Sequence, residues 1–296
     1  MLHNSHIYSD DKHTSHSEKF CPHLFNDLNY EDHLRTFPIH TWFDIDLGEY
    51  GDLCAKQEKT PNDSVDPTQV SPFPPELDDL IRLHHLVLTR KVTTILEFGI
   101  GKSTPVLAHA LSVNEARHAT FVRDQLRRNN AFELHSIDNS LHWLDHVRGT
   151  LPTAFAGPDR VFLHHCPLTV GTFHDRLCTY YEGVPDLCPD LIYLDGPDQF
   201  SAKGSVRGLS TRHKDRMPIA ADILAFEHFL TPGTLIVVDG RTANARFLKC
   251  NLQRAWTHTH IPAYDQHFFE LTEAPLGVFN RRQIDYCLGS DFYDRI

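Results

Sequence analysis

Residues 92–104 read Val-Thr-Thr-Ile-Leu-Glu-Phe-Gly-Ile-Gly-Lys-Ser-Thr: an apolar β-branched run, an acid, two spaced glycines, then a helical opening. A strand that feeds a tight glycine turn lets backbone approach a nucleotide-like ligand. Glu97 narrows the choice of ligand. A carboxylate at the strand tip repels a pyrophosphate but pairs with an ammonium or accepts from a hydroxyl. The words Gly101-Lys102-Ser103-Thr104 imitate the end of a phosphate-binding P-loop. That motif needs another glycine ahead of Gly101, with four residues between, and Leu96 stands there. A dinucleotide fold wants a third glycine near 104, where Thr104 and Pro105 stand. The turn therefore suits a cofactor without phosphate, and S-adenosylmethionine (SAM) fits that description. A glycine turn with no ligand is the plain alternative.

The 296 residues suffice for one large α/β domain and an appendage. With 28 Lys and Arg against 39 Asp and Glu the formal charge is −11, which argues against a nucleic-acid binder. Seven cysteines at 21, 54, 166, 178, 188, 250 and 287 form no C-x-x-C pair, as expected of reduced thiols in a cytoplasmic protein. Cys21-Pro22-His23 is too sparse for a zinc site. No apolar run has the length of a membrane span, and Met1–Asp10 lacks a signal peptide's apolar stretch.

Residues 1–73 read as a polar, His-rich arm and a linker, with 1–35 mobile or loosely docked and charges, Asn, Ser and five prolines across 55–75. Trp42 and Phe43 are the side chains that can pack this arm on the main domain, 74–296. Pro74-Pro75-Glu76 opens a helix carrying Leu77, Leu80, Ile81, His84 and Leu88 at helical spacing. Buried-looking strands are expected at Thr93–Phe98, Glu133–Asp138, Arg160–His165, Asp190–Asp195 and Thr234–Asp239. Helices are expected at Ser103–Leu111, Ser140–Thr150, Val170–Tyr181, Pro218–Leu230 and Thr242–Gln253. Trp256–Pro262 and His267–Thr272 read as a strand pair. The fold class is α/β: a Rossmann-like seven-stranded, mostly parallel sheet with helices on both faces and a C-terminal antiparallel pair.

That order of elements resembles the class I SAM-dependent methyltransferases, over roughly residues 75–275. Glu-Phe-Gly-Ile-Gly-Lys-Ser is similar to their first motif, His-Ser-Ile-Asp138-Asn139 to their second-strand acid, and Asp190-Leu-Ile-Tyr-Leu-Asp195-Gly-Pro to their fourth-strand motif. Small-molecule O-methyltransferases with paired strand-end acids are the nearest subfamily. The resemblance implies that Gly99, Gly101 and Ser103 line the methionine moiety and that Glu97 holds its amino group directly or through water. It implies Asp138 and Asn139 at the ribose, and His165 and Cys166 near the adenine. Asp138 also suits a helix N-cap. It lies 37 positions after Gly101, about twice the family's usual distance, so 112–131 is expected to be an inserted helix and loop.

Asp195 and Asp239 end neighbouring strands, where two carboxylates raise each other's pKa or hold a divalent cation such as magnesium. Gly240 follows the second acid where metal-dependent relatives carry Asn or Asp, which removes a ligand that Asp198 could replace. Without metal, Asp195 or His213 is the general base; both acids also suit turn caps. Methyl transfer needs a covered site, and 199–217 is the candidate cover. Its cations, with Arg212 and Lys214 as substrate contacts, and Arg241, Asn244 and Arg246 after the fifth strand suit an anionic acceptor such as a sugar phosphate or carboxylate. A solvated loop is the plain alternative. The expected partner is this small molecule, with no nucleic acid or membrane; self-association is compatible. The rival functions are a binding or metal-dependent protein on the same fold, and a nucleotide hydrolase.

Overall fold

The computed structural model describes residues 22–50 and 75–296; the first part of the polar arm, the linker through residue 74, Cys21 and Cys54 lie outside them. Short helices α1 (Pro22–Phe25), α2 (Tyr30–Thr36) and α3 (Leu47–Tyr50) precede α4 (Leu77–Thr89). Strand β1 (Thr94–Phe98), helix α5 (Ser103–Gln125), β2 (Glu133–Asp138), α6 (Leu141–Thr150) and β3 (Val161–His165) follow. Next come β4 (Leu168–Phe173), β5 (Arg176–Tyr181), β6 (Leu191–Leu194), α7 (Asp222–Phe226), β7 (Leu235–Asp239) and α8 (Thr242–Asn251). The described chain finishes with β8 (Trp256–Ile261), β9 (Gln266–Leu271) and α9 (Val278–Cys287).

Seven strands form one sheet in the order β3-β2-β1-β6-β7-β9-β8. The first five pair in parallel, while β9 is antiparallel to both β7 and β8. Alternation along each strand supplies both faces. Leu96, Phe98, Ile192, Leu194, Ile236 and Val238 join one core with the β4–β5 segment. Ile95, Leu134, Leu191, Leu235 and Val237 join the other, beneath α4 and α5. Near-continuous apolar strands are what a sheet covered on both sides requires.

The strand order reverses between β1 and β6, because β2 and β3 extend one way and β7 the other. Open α/β sheets bind ligands outside the strand carboxyl ends at such a switch point. The opposite edge is structural. There Asp190 accepts from the Thr93 amide at 2.7 Å and pairs with Arg128 at 2.5 Å.

Three expectations fail, one of them the helix over 218–230, which is α-helical only at Asp222–Phe226 and continues as a 3-10 turn at Glu227–Phe229. Val170–Tyr181 is not a helix but lies within an antiparallel hairpin, β4–β5, with Phe173 opposite Arg176. Its turn residues, His174 at φ 47° and Asp175 at φ 62°, adopt the left-handed conformation of a two-residue hairpin turn. Val170, Thr172, Thr179, Tyr180 and Tyr181 are β-branched or aromatic and favour strand. Third, α5 does not stop at Leu111 but runs to Gln125, so the long spacing between Gly101 and Asp138 is a lengthened helix, not a separate insertion.

Trp42 and Phe43 pack beside Leu34 and Ile39 on a third cluster formed with Leu77, Leu80, Ile81 and Val106. Residues 30–43 thus lie across the first turns of α4 and α5.

Candidate functional site

The turn after β1 is shaped by contacts on both sides. Gly99 has φ 96°, and a Cβ there would lie 2.6 Å from the Gly196 nitrogen. Asp195 and Gly196 in turn donate their amides to the Phe98 carbonyl at 2.9 and 2.6 Å. The loops leaving β1 and β6 therefore touch backbone to backbone at the switch point. Gly101 differs. Nothing stands within 4 Å of the Cβ it lacks. Open space over this glycine leaves room for a ligand against the backbone.

Glu97 is fully buried on the α5 side of the sheet. Its carboxylate accepts from Ser103 Oγ at 2.5 Å, Thr104 Oγ1 at 2.8 Å and Ser136 Oγ at 2.6 Å. Direct contact with a cofactor amino group is therefore not available to it. Glu97 braces the glycine turn instead, and the Ser103 hydroxyl is spent on that brace. Burial pushes the Glu97 carboxyl up to about 7, with the three hydroxyls opposing. A folded-state value above the unfolded 4.5 means that stability present at low pH is lost as pH rises through 7, by about 1.4 kcal/mol per unit over that window. Glu97→Gln cannot ionise. Its melting temperature, compared with the native chain, should gain roughly 5 °C on going from pH 5 to pH 8. An unchanged difference would show that Glu97 does not titrate there.

Asp138 ends β2 beside this turn. Its Oδ2 accepts from the Ile100 amide at 3.1 Å and its Oδ1 from the Ser140 amide at 2.7 Å. Ser140, not Asp138, is the N-cap of α6. Burial raises the Asp138 carboxyl, its two amide donors oppose, and nearby Asp198 adds to the rise. Asn139 is half-buried, and its carbonyl meets His165 Nε2 at 3.1 Å. Cys166 is 2% exposed, in the core, with its thiol 3.5 Å from the Gly183 carbonyl. Burial pushes that thiol up to about 11, so it is an inert core group.

Asp195 and Asp239 are brought together. The Asp195 side chain is 53% exposed, and its Oδ1 lies 3.6 Å from Arg241 Nε. Burial pushes its carboxyl up to about 7; Arg241 opposes, and Asp239 and Glu76 add to the rise. Asp239 accepts from the Tyr193 hydroxyl at 2.6 Å. Arg241 also donates to the Pro197 carbonyl at 2.5 Å. The magnesium expectation does not fit this donor set. Among the described residues no three His, Cys, Asp or Glu side chains converge on one point, and a guanidinium already faces Asp195.

The remaining predicted contacts are dispersed. Arg212, His213 and Lys214 are exposed on the 199–217 loop. Arg212 donates to the Gly204 carbonyl at 3.2 Å, and His213 lies 3.8 Å from Asp215. Ala202 is buried, and Lys203 bridges its backbone to β4, which fastens the loop to the hairpin. Arg246 is exposed, while Asn244 is buried and holds both backbone polar groups of Ala220. Sequence reasoning missed Tyr181. Its hydroxyl is buried, lies 2.9 Å from the Cβ that Gly196 lacks, and has no hydrogen-bond partner. A predicted helix there concealed it.

No family model and no curated protein matches the chain. Among solved structures, a methyltransferase from Geobacter sulfurreducens is similar at 15% identity and TM-score 0.38, over 65% of this chain and 79% of that one. A methyltransferase from Podospora anserina bound to SAH, the demethylated form of SAM, is similar at 14% identity and TM-score 0.35, over 68% and 80%. An O-methyltransferase from Bacillus cereus in complex with SAH is similar at 16% identity and TM-score 0.35, over 68% and 81%. The chain's own topology, five parallel strands and an antiparallel pair around a switch point at β1 and β6, is a Rossmann-like seven-stranded fold.

Proposed function

We propose that the chain is a SAM-dependent methyltransferase that acts on an oxygen of a small polar or anionic acceptor, with sugar derivatives among the candidates. The observation that carries this reading is the open space over Gly101, in the turn that follows β1 at the sheet's switch point and whose Ile100 amide donates to Asp138. The residues fit such a cofactor. The Gly101 backbone offers a surface without a side chain, Asp138 keeps lone pairs for a ribose diol, and the acidic edge suits a cationic sulfonium. When bound, SAM supplies the methyl group.

The protein's part is positioning and proton handling. Asp195, half open to solvent, is placed to accept the acceptor hydroxyl's proton at Oδ2 or Oδ1, and Arg241 holds that carboxylate in place. Tyr193 fixes Asp239. The exposed cations Lys203, Arg207 and Lys214 on the 199–217 loop support an anionic acceptor.

Calorimetric titration with SAM and SAH tests the reading. No heat at millimolar ligand removes it. Binding of both without methyl transfer to any hydroxyl acceptor replaces it with a non-methylating protein on the same fold.

A further inference from the structure

Three imidazoles from three helices form one hydrogen-bonded chain. His33 Nε2 on α2 meets His84 Nδ1 on α4 at 2.9 Å, and His84 Nε2 meets His109 Nδ1 on α5 at 2.9 Å. His84 is fully buried and His33 is 9% exposed. Aromatic rings surround the chain: Phe37 lies 4.9 Å from His84, and Trp42 lies 4.9 Å from His109. We propose that residues 30–43 are a strap fastened to α4 and α5 by this uncharged histidine chain, and that acid releases the strap while the sheet stays folded.

Like charges oppose protonation of His33 and His84, and burial alone opposes that of His109. On α4, His85 acts on both His33 and His84, and on α5, Arg117 acts on His84. Acids nearby are engaged elsewhere. On α2, Asp32 pairs with Arg35; on α4, Asp78 and Asp79 both pair with Arg82; and Asp27 acts on His85. A proton taken up by the chain therefore meets neighbouring positive charge and an apolar cage. Burial lowers His33 to about 4 and His84 well below its usual value, with like charges adding to the fall.

Release is local because the strap has its own core. Leu34 and Ile39 pack on Leu77, Leu80, Ile81 and Val106, apart from the two clusters that hold the sheet. The seat matters, because Leu77 and Val106 belong to the first turns of α4 and α5, and α5 begins at the glycine turn. This inference is independent of the methyltransferase reading.

The sign follows from linkage. The released state binds protons near the ordinary 6.5 and the docked state near 4, so docking is favoured at neutral pH and lost as pH falls. From pH 7 to pH 5 the docking constant should fall about 20-fold through His33 alone. Hydrogen exchange at the two pH values, corrected for intrinsic rates, reads this on the full chain. Peptides covering 30–43 should lose protection by at least that factor while peptides covering 235–239 keep theirs. His33→Phe should cut the response by the same factor. A strap that does not respond, a strap and sheet that lose protection together, or an unchanged response in His33→Phe each overturns the proposal. The wild-type comparison alone decides it should the variant fail to fold.

Discussion

Gly101→Ala is expected to keep the native melting temperature and to weaken SAH binding on the order of 100-fold, about 2.7 kcal/mol. Stability should hold because no atom lies within 4 Å of the new methyl and the backbone at 101 does not require glycine. Affinity should fall because that methyl would occupy the space proposed for the cofactor. A close-packed ligand cannot retreat from it without giving up its bonds to Asp138 and the turn. Calorimetry with SAH and a thermal melt on one preparation give both readings. Unchanged affinity would place the ligand elsewhere or nowhere.

Gly99→Ala, two residues away, should do the reverse and damage the fold itself. The new Cβ would stand 2.6 Å from the Gly196 nitrogen and 2.9 Å from the Asp195 carbonyl carbon. Both are backbone atoms, so neither can rotate aside. The φ of 96° adds strain for any residue with a side chain. Steric overlap and strain together should cost roughly 3–5 kcal/mol, a large share of the 5–15 kcal/mol that holds a typical domain. Denaturant midpoints measure this. Loss of less than about 1 kcal/mol would mean that the β1 and β6 loops are not in contact in solution. The pair of variants separates a glycine kept for a ligand from one kept for packing.

The strands were legible because each is a short apolar run closed by turn residues. β2 falls where periodicity predicts it, and β1, β3, β6 and β7 within one residue at each end. The β4–β5 hairpin was misread because Val170, Leu177 and Tyr181 also fit a helical period. The decision lay in the turn, where His174 and Asp175 take positive φ without a glycine to announce it. Helix α5 was cut short because the residues beyond Leu111 are polar. Its second half is largely exposed, apart from buried Asn114, which donates to the Val87 and Val92 carbonyls, and buried Val122. The sequence marked Asp195 and Asp239 as paired acids, but not that Arg241 faces one and Tyr193 the other. Such partners come from neighbouring strands and loops, and no local spacing records them.

The chain's order of residues settled on its own that strands and helices alternate, that both sheet faces are covered, and that a glycine turn follows an acid at β1. These are local properties: apolar period, β-branching and turn chemistry act within a few residues. Tertiary structure alone decided that Glu97 faces three hydroxyls and no open cleft, that Cys166 is core, and that His33, His84 and His109 join in one chain. Each of these depends on which side chains from distant segments share a buried space, and that is fixed only when the helices close over the sheet.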